Sequence, residues 1–247
     1  MEIAVTGAEG RMGRKVREEI EKSEHGLAFA VDVEPEEPEV EDVDRLRELL
    51  QEEDPDALID FTAPSATVEF ARTCSEAGVP FVTGTTGLDD EQASVLEGAA
   101  ESVPVLKASN FAPGIQALRN AVREAVSSVP GYDVEVTETH HNGKTDAPSG
   151  TALEIVRDIE EEIETSGRTH GREGEQPREE GEIGVHARRA GDVRGEHEVL
   201  LAGNHEVLTL RHRSESRNVF AAGAVEAAEW LQDRGTGFYT FDEVFEQ

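Results

Sequence analysis

Near the amino terminus, a strand, a glycine-rich turn and a helix follow one another directly. The segment 2–6, with its apolar run 3–5, is typical of a short buried strand, and the helical pattern of 15–21 comes after the segment GAEGRMG. Gly7, Gly10 and Gly13 would let the backbone turn tightly and approach a phosphate at a helix N-terminus. Their spacing, GxxGxxG, departs from the common GxGxxG, so the motif alone suggests a dinucleotide site without establishing one.

The residues that follow strengthen this interpretation. A second predicted strand, 28–33, contains Asp32, about 20 residues beyond the glycines, where an acidic side chain binds the adenosine ribose of a dinucleotide. Val33 follows it, and not an arginine that would hold a 2′-phosphate, so NADH is the favoured cofactor. Arg11 and Arg14 keep NADPH as an alternative.

Strands and helices then alternate, which predicts a parallel α/β sheet of the Rossmann type. The predicted elements are helices at 43–53 and 67–77 and strands at 57–61, 80–83 and 103–108.

Small polar residues follow two of these strands, in the segments DFTAPSAT and TGTTG. Ligands bind at the carboxyl ends of strands in such sheets, so we expect the residues there to flank a nicotinamide ribose. They are Phe61, Thr62, Gly84, Thr85 and Thr86. The alternative is that glycine and threonine only form turns at these positions.

The second half of the chain has a different pattern. Val134 and Val136 alternate with polar residues in a predicted strand at 132–139, and a hairpin is predicted around Gly203-Asn204. Pro113 and Gly114 suggest a crossing between domains. We therefore predict an α+β domain with an open mixed or antiparallel sheet.

Three further segments complete the predicted layout. A helix at 151–164 covers the second sheet, the polar stretch 166–181 is a mobile loop, and a helix at 219–232 returns to the first domain. The predicted domains are 1–111 with 218–247, which binds the dinucleotide, and 112–217, which binds substrate.

The segment HHNGKTDAPSGTA, residues 140–152, places two histidines and a lysine before a helix start. His140 ends a strand, Ser149 is a good N-cap, and Thr151 with Glu154 is expected to form a capping box that opens the helix. Backbone N–H groups at such a helix start bind carboxylate or phosphate, and Lys144 adds positive charge. Only four of the 23 basic residues are lysines, so a lysine retained at position 144 favours a functional role for it. The alternative is a solvated loop with incidental histidines.

Composition excludes several classes of function. The formal net charge is −31, with 54 acidic residues spread along the chain, which makes nucleic acid an unexpected ligand and indicates adaptation to molar salt. An acidic partner for basic proteins is the alternative.

The single cysteine, Cys74, implies a reducing interior. No Cys/His spacing indicates a metal site, and no apolar run is long enough for a membrane span. A cytoplasmic protein is expected.

The motifs GAEGRMGR, DFTAPSAT, GTTG, SNFAPG, EVTETHHNGKTDAPSGTA and RRAGDVRGEHEVLLA together resemble the dihydrodipicolinate reductase family, now called 4-hydroxy-tetrahydrodipicolinate reductases, of the diaminopimelate route to lysine. The resemblance covers nearly the whole chain. It implies a homotetramer, with the dinucleotide domain facing the substrate domain across two hinges. It also implies proton transfer by His140 and Lys144 and substrate binding by His141, Gly150 and Thr151.

The cofactor contacts that the resemblance implies lie in the glycine loop and at strand ends: Gly7, Ala8, Glu9, Gly10, Arg11, Met12, Asp32, Gly84, Thr85, Thr86, Ala108, Ser109, Asn110 and Phe111. Two residues depart from the family pattern. Val33 stands where many members carry an arginine that selects NADPH, and Ser109 stands where alanine is common.

The expected reaction is NAD(P)H-dependent reduction of 4-hydroxy-tetrahydrodipicolinate, a small dicarboxylate, to tetrahydrodipicolinate with loss of water. Hydride reaches C4 of the ring, Lys144 supplies a proton, and His140 tunes or relays it. Lys144, Arg189 and the helix dipole are expected to give the pocket a positive field. The alternatives are a non-catalytic NAD(P) sensor and a reductase of a different small acid.

Overall fold

The computed structural model describes residues 1–245, which divide into two compact units. Unit 1 comprises Met1–Phe111 together with residues 217–245, and unit 2 comprises Ala112–Ser216.

Unit 1 is built on a sheet of seven strands that are all parallel. Its strands are β1 (Glu2–Thr6), β2 (Gly26–Asp32), β3 (Glu41–Asp42), β4 (Ala57–Asp60), β5 (Phe81–Thr83), β6 (Pro104–Lys107) and, late in the chain, β12 (Gly237–Thr240). Their order across the sheet is β12-β6-β5-β4-β1-β2-β3. The strand order reverses at β1, and this is where ligands bind in doubly wound folds. The predicted Rossmann-type parallel sheet is confirmed.

Five α-helices cover the two faces of this sheet. They are α1 (Gly13–Lys22), α2 (Leu46–Glu53), α3 (Pro64–Ala77), α4 (Asp90–Ala99) and α7 (Asn218–Leu231). Helices α1 and α7 share one apolar core with the sheet, and α2, α3 and α4 share the other. Burial on both faces explains why the central strands are continuous apolar runs without alternation.

Unit 2 contains a mixed sheet of five strands and two helices. Its elements are α5 (Pro113–Ser128), β7 (Asp133–His140), α6 (Gly150–Glu162), β8 (Gly167–His170), β9 (Glu182–Arg189), β10 (Glu196–Gly203) and β11 (Glu206–Arg213). The strand order is β11-β10-β7-β9-β8, with β7 parallel to β9 and antiparallel to β10. Arg119 on α5 and Asp158 on α6 form a buried ion pair, with Nε 2.6 Å from Oδ2, which fixes the two helices together.

Two predictions for this half were wrong in detail. The segment 166–181 is not all loop, because β8 pairs with β9 and Arg168 is bound by Glu160. The hairpin turn is Asn204-His205, both at positive φ, and not Gly203-Asn204. Gly203 belongs to β10, where a Cβ would lie 2.7 Å from the ring of Tyr132. Space for that ring explains the glycine.

Pro113 and Gly114, which suggested only a crossing between domains, are the first residues of α5. Proline is favoured there because the first residues of a helix have no intrahelical partner for their N–H groups. Within residues 1–245, no helix is long and apolar enough to cross a membrane.

Candidate active site

The glycine loop after β1 is closed by its own backbone. Gly7 has a φ of 61°, and its carbonyl accepts a hydrogen bond from the N–H of Gly10 at 2.9 Å. A Cβ on Gly13 would lie 2.0 Å from the carbonyl oxygen of Gly7, so the first turn of α1 packs on the loop only because residue 13 is glycine. The loop therefore presents backbone N–H groups at a helix N-terminus, an arrangement that fits a pyrophosphate.

Asp32, the last residue of β2, lies beside this loop. Its Oδ2 accepts a hydrogen bond of 2.7 Å from the N–H of Glu9, and its Oδ1 accepts one of 2.8 Å from the N–H of Val33. A carboxylate has about four acceptor positions, so Asp32 retains capacity for ribose hydroxyls.

Two arginines of α1 are paired with one carboxylate, and the residue after Asp32 is exposed. Arg14 is paired with Glu37 at 3.0 Å, and Arg17 is paired with the same carboxylate at 2.7 Å. Val33 is 71 % exposed. The charge of Arg14 is thus balanced within the protein by Glu37.

Beyond β4 and β5, the loops are organised by the buried side chain of Asp60. Its carboxylate accepts hydrogen bonds from the hydroxyls of five threonines: Thr6, Thr62, Thr67, Thr83 and Thr85. The threonine hydroxyls in turn accept bonds from loop backbone, namely Thr62 N–H to Thr85 Oγ1 and Thr85 N–H to Thr83 Oγ1, both 3.1 Å. Asp60 thereby fixes the two loops that were predicted to flank a nicotinamide ribose.

In unit 2, His140 ends β7 and is 12 % exposed at its side chain. Its Nδ1 lies 2.5 Å from Oε2 of Glu138, a fully buried carboxylate. Arg189 on β9 binds both oxygens of Glu138 at 2.8 Å, and the N–H of Ser149 binds Oε1 at 3.1 Å. Burial acts to raise the pKa of Glu138, but hydrogen bonds from His140 and Arg189 outweigh it and lower the pKa to about 2.

Ser149 caps α6, as predicted. Its hydroxyl accepts a hydrogen bond of 3.2 Å from the N–H of Ala152 and lies 3.1 Å from Nε2 of His197. The predicted capping box that begins at Thr151 is wrong, because Thr151 lies inside the first turn and not at the N-cap. Burial, followed by the effect of His140, lowers the pKa of His197 to about 3, so the ring stays neutral beside the helix start.

Lys144 lies in the loop between β7 and α6, with its Nζ 2.8 Å from Oδ1 of Asp146. Burial acts to raise the pKa of Asp146, but the hydrogen bond and charge of Lys144 outweigh it and lower the pKa. Arg189 also donates to the carbonyl of Asp146 at 2.5 Å. Arg189 is bound by Glu138 and Lys144 by Asp146, so both cations are paired within the protein, and the N–H groups at the start of α6 add a positive field of their own.

Each group of residues singled out from the sequence thus lies within one unit. Unit 1 holds the glycine loop, Asp32 and the segments 84–86 and 108–111, all at carboxyl ends of parallel strands. Unit 2 holds the segment from His140 to Thr151.

The family profile described as "Dihydrodipicolinate reductase, N-terminus" matches residues 1–111, and that described as "Dihydrodipicolinate reductase, C-terminus" matches residues 114–245. The chain belongs to the dihydrodipicolinate reductase family.

Curated relatives of this chain carry the name 4-hydroxy-tetrahydrodipicolinate reductase. The protein of Natronomonas pharaonis is 53 % identical over 250 residues, covering 99 % of this chain and 100 % of that protein. The protein of Haloarcula marismortui is 49 % identical and covers 98 % of each. A solved structure, the dipicolinate-bound dihydrodipicolinate reductase of Paenisporosarcina sp. TG-14, superposes with a TM-score of 0.81 at 27 % identity over 99 % of both chains. The resemblance stated from the motifs is confirmed.

Sequence reasoning missed three side chains in this member of the dihydrodipicolinate reductase family. Glu138, Asp60 and His197 are all buried and polar. For Glu138 a signal existed, because Val134, Val136 and Glu138 share one face of β7 at period two. The other two lie in strands whose sequence does not indicate the partners of a buried polar group.

Proposed function

We propose that this chain is an NAD(P)H-dependent 4-hydroxy-tetrahydrodipicolinate reductase that forms tetrahydrodipicolinate with loss of water, in lysine biosynthesis by the diaminopimelate pathway. The observation that carries the proposal is the single segment that joins the end of β7 to the Ser149-capped start of α6 and contains His140 and Lys144. The curated relatives with this name match the chain along its whole length. A non-catalytic sensor is disfavoured, because the similarity extends through the catalytic segment.

A nicotinamide dinucleotide, when bound, supplies the hydride. We assign its pyrophosphate to the glycine loop 7–12, its adenosine ribose to Asp32, and its nicotinamide half to 84–86 and 108–111. NADH is the favoured form, because Val33 offers no cation and the charge of Arg14 is balanced by Glu37.

The remaining chemistry belongs to side chains of unit 2. We assign to Lys144 the donation of a proton to the ring that has accepted hydride, and to His140 the relay or tuning of that proton. Gly150 and Thr151 at the first turn of α6, with His141, bind a carboxylate of the substrate, because a helix N-terminus favours anions. The reductase of Paenisporosarcina sp. TG-14 binds dipicolinate, a planar dicarboxylate, which supports a substrate of that class here.

We assign dinucleotide binding to unit 1, and substrate binding and assembly of a homotetramer to unit 2. We assign a cytoplasmic location to the whole protein.

We also propose that the protein is adapted to molar salt. The support is the net charge of −31, since salt at about 1 M shortens the Debye length to about 3 Å and screens self-repulsion. Sedimentation and thermal unfolding at low and molar KCl test both the tetramer and the salt adaptation.

The reaction is tested by following oxidation of NADH and of NADPH in molar KCl, with substrate generated by a dihydrodipicolinate synthase from pyruvate and aspartate semialdehyde. Rapid oxidation that depends on the synthase supports the proposal and ranks the cofactors. A folded protein that binds nucleotide but does not turn over would overturn it in favour of the sensor.

A further inference from the structure

We infer that Glu138 is a positioning residue for the proposed reaction: it holds His140 through Nδ1, leaving Nε2 to exchange protons, and it ties that ring to the start of α6. The inference rests on the proposed role of His140, and its test separates the two.

The first step is the number of hydrogen bonds that Glu138 accepts. His140 and Arg189 Nη1 bind Oε2 at 2.5 and 2.8 Å, while Ser149 N–H and Arg189 Nη2 bind Oε1 at 3.1 and 2.8 Å. An ionised carboxylate has about four acceptor positions, so all of them are occupied. Glu138 is also 0 % exposed, so it touches neither solvent nor substrate and acts only through its neighbours.

The second step is the proton on the imidazole. A carboxylate that only accepts requires a donor, so the neutral ring of His140 carries its hydrogen on Nδ1. Arg189 balances the charge of Glu138, which keeps the carboxylate ionised in a buried position. Nε2 is then the nitrogen with a free lone pair in the neutral ring.

The third step is the space beside Nε2. A Cβ placed on Gly195 would lie 3.3 Å from His140 Nε2, closer than ordinary van der Waals contact. Glycine at 195 therefore leaves that side of the ring uncovered by protein side chain. On another side, the ring of His197 packs edge-on at a centroid distance of 5.3 Å and limits rotation of His140.

The fourth step links the ring to the anion site. The N–H of Ser149 donates to Glu138, and the hydroxyl of Ser149 caps α6. One buried carboxylate thus sets both the orientation of His140 and the position of the helix start that we assign to a substrate carboxylate.

The test is Glu138→Gln, with Glu135→Gln as a matched control. Glu135 lies on the same strand and also binds a histidine, with Oε2 2.6 Å from Nε2 of His186, and it also pairs with arginines. In Glu138→Gln the amide oxygen keeps the bonds from Ser149 N–H and Arg189 Nη2, so the NH₂ group takes the place of Oε2. It then faces His140 and reverses its tautomer, and it also loses the bond from Arg189 Nη1. NMR of isotope-labelled histidine nitrogens, assigned with His140→Gln, reports the tautomer, and steady-state kinetics separate kcat from KM.

We expect Glu138→Gln to lower kcat on the order of 10²-fold, to leave the KM for NADH unchanged, and to move the His140 hydrogen to Nε2. Glu135→Gln should change none of these. Equal losses in both variants, or an unchanged His140 tautomer in Glu138→Gln, would overturn the inference.

The histidine NMR spectrum of the unsubstituted protein tests the inference even if the Glu138→Gln variant does not fold. A neutral His140 with its hydrogen on Nε2 would refute the inference without any substitution. Because the tautomer is read without turnover, a protein with Nδ1–H that does not reduce the substrate would leave the positioning intact and refute the proposed function.

Discussion

The hydroxyl of Thr67, on α3, donates a hydrogen bond of 2.6 Å to the carboxylate of Asp60 at the end of β4. Both residues are fully buried. Thr67→Val removes a donor without removing the carboxylate, so we expect the free energy of unfolding to fall by about 1–3 kcal/mol. Thr73→Val on the same helix removes an exposed hydroxyl and should cost less than about 0.5 kcal/mol. Guanidinium unfolding at constant KCl measures both, and equal costs would contradict the role of Asp60.

Gly13→Ala would place a methyl group on the carbonyl of Gly7 and displace the glycine loop. We expect the affinity for NADH to fall at least about tenfold, because the backbone N–H groups that face the pyrophosphate move. Gly98→Ala is the control, since no atom lies within 4 Å of the added Cβ in α4. That variant should keep its affinity and gain about 0.5–1 kcal/mol of stability. NADH fluorescence titration distinguishes the two.

Lys144→Ala removes the proposed proton donor. Turnover should fall on the order of 10²-fold or more with little change in NADH binding, because the side chain lies in unit 2. Lys22→Ala, at the exposed end of α1, is the matched control and should retain activity. Undiminished turnover in folded Lys144→Ala would exclude the assignment.

Val33→Arg adds a cation beside Asp32. We expect the ratio of kcat/KM for NADPH to that for NADH to rise about tenfold, since about 1.4 kcal/mol of added attraction to the 2′-phosphate corresponds to that factor. Val207→Arg is a control at another exposed valine, 61 % exposed against 71 % for Val33. A ratio that moves equally in both variants would mean that overall charge, and not position 33, sets the preference.

His197 makes stability depend on pH. Burial lowers its pKa from 6.5 to about 3, so below pH 6.5 the unfolded chain binds a proton that the folded protein does not. The stability due to this group is therefore present above pH 6.5 and is lost as pH falls, by up to about 1.4 kcal/mol per pH unit. Between pH 6.5 and 5.5, His197→Gln should flatten the dependence, whereas His170→Gln at an exposed position should not. The midpoints of urea unfolding across that pH range measure the dependence. Plots of midpoint against pH with the same slope for both variants would contradict the prediction.

Much of unit 1 could be predicted because its signals are local. The apolar run 3–5, the three glycines and Asp32 each act through residues close in sequence or at a known spacing. Several helices begin or end one to three residues away from their predicted bounds. Helix ends are hard to predict, because a cap depends on single hydrogen bonds. The edge strands β8 and β12 escaped prediction because short, exposed strands carry little apolar periodicity.

In the candidate site, too, the features that depend on local sequence could be predicted and those that depend on distant contacts could not. The sequence by itself determined the parallel α/β half, the start of α6 at Ser149 and the presence of His140 and Lys144 in one segment, because each depends on local pattern. Only the tertiary structure decided that Glu138 binds Arg189, which lies 51 residues away on a neighbouring strand. It also decided that the carboxylate of Asp60 accepts hydrogen bonds from five threonine hydroxyls. The physical reason is that a buried carboxylate must find its donors wherever strand pairing brings them, and pairing between distant strands leaves no mark in the local sequence.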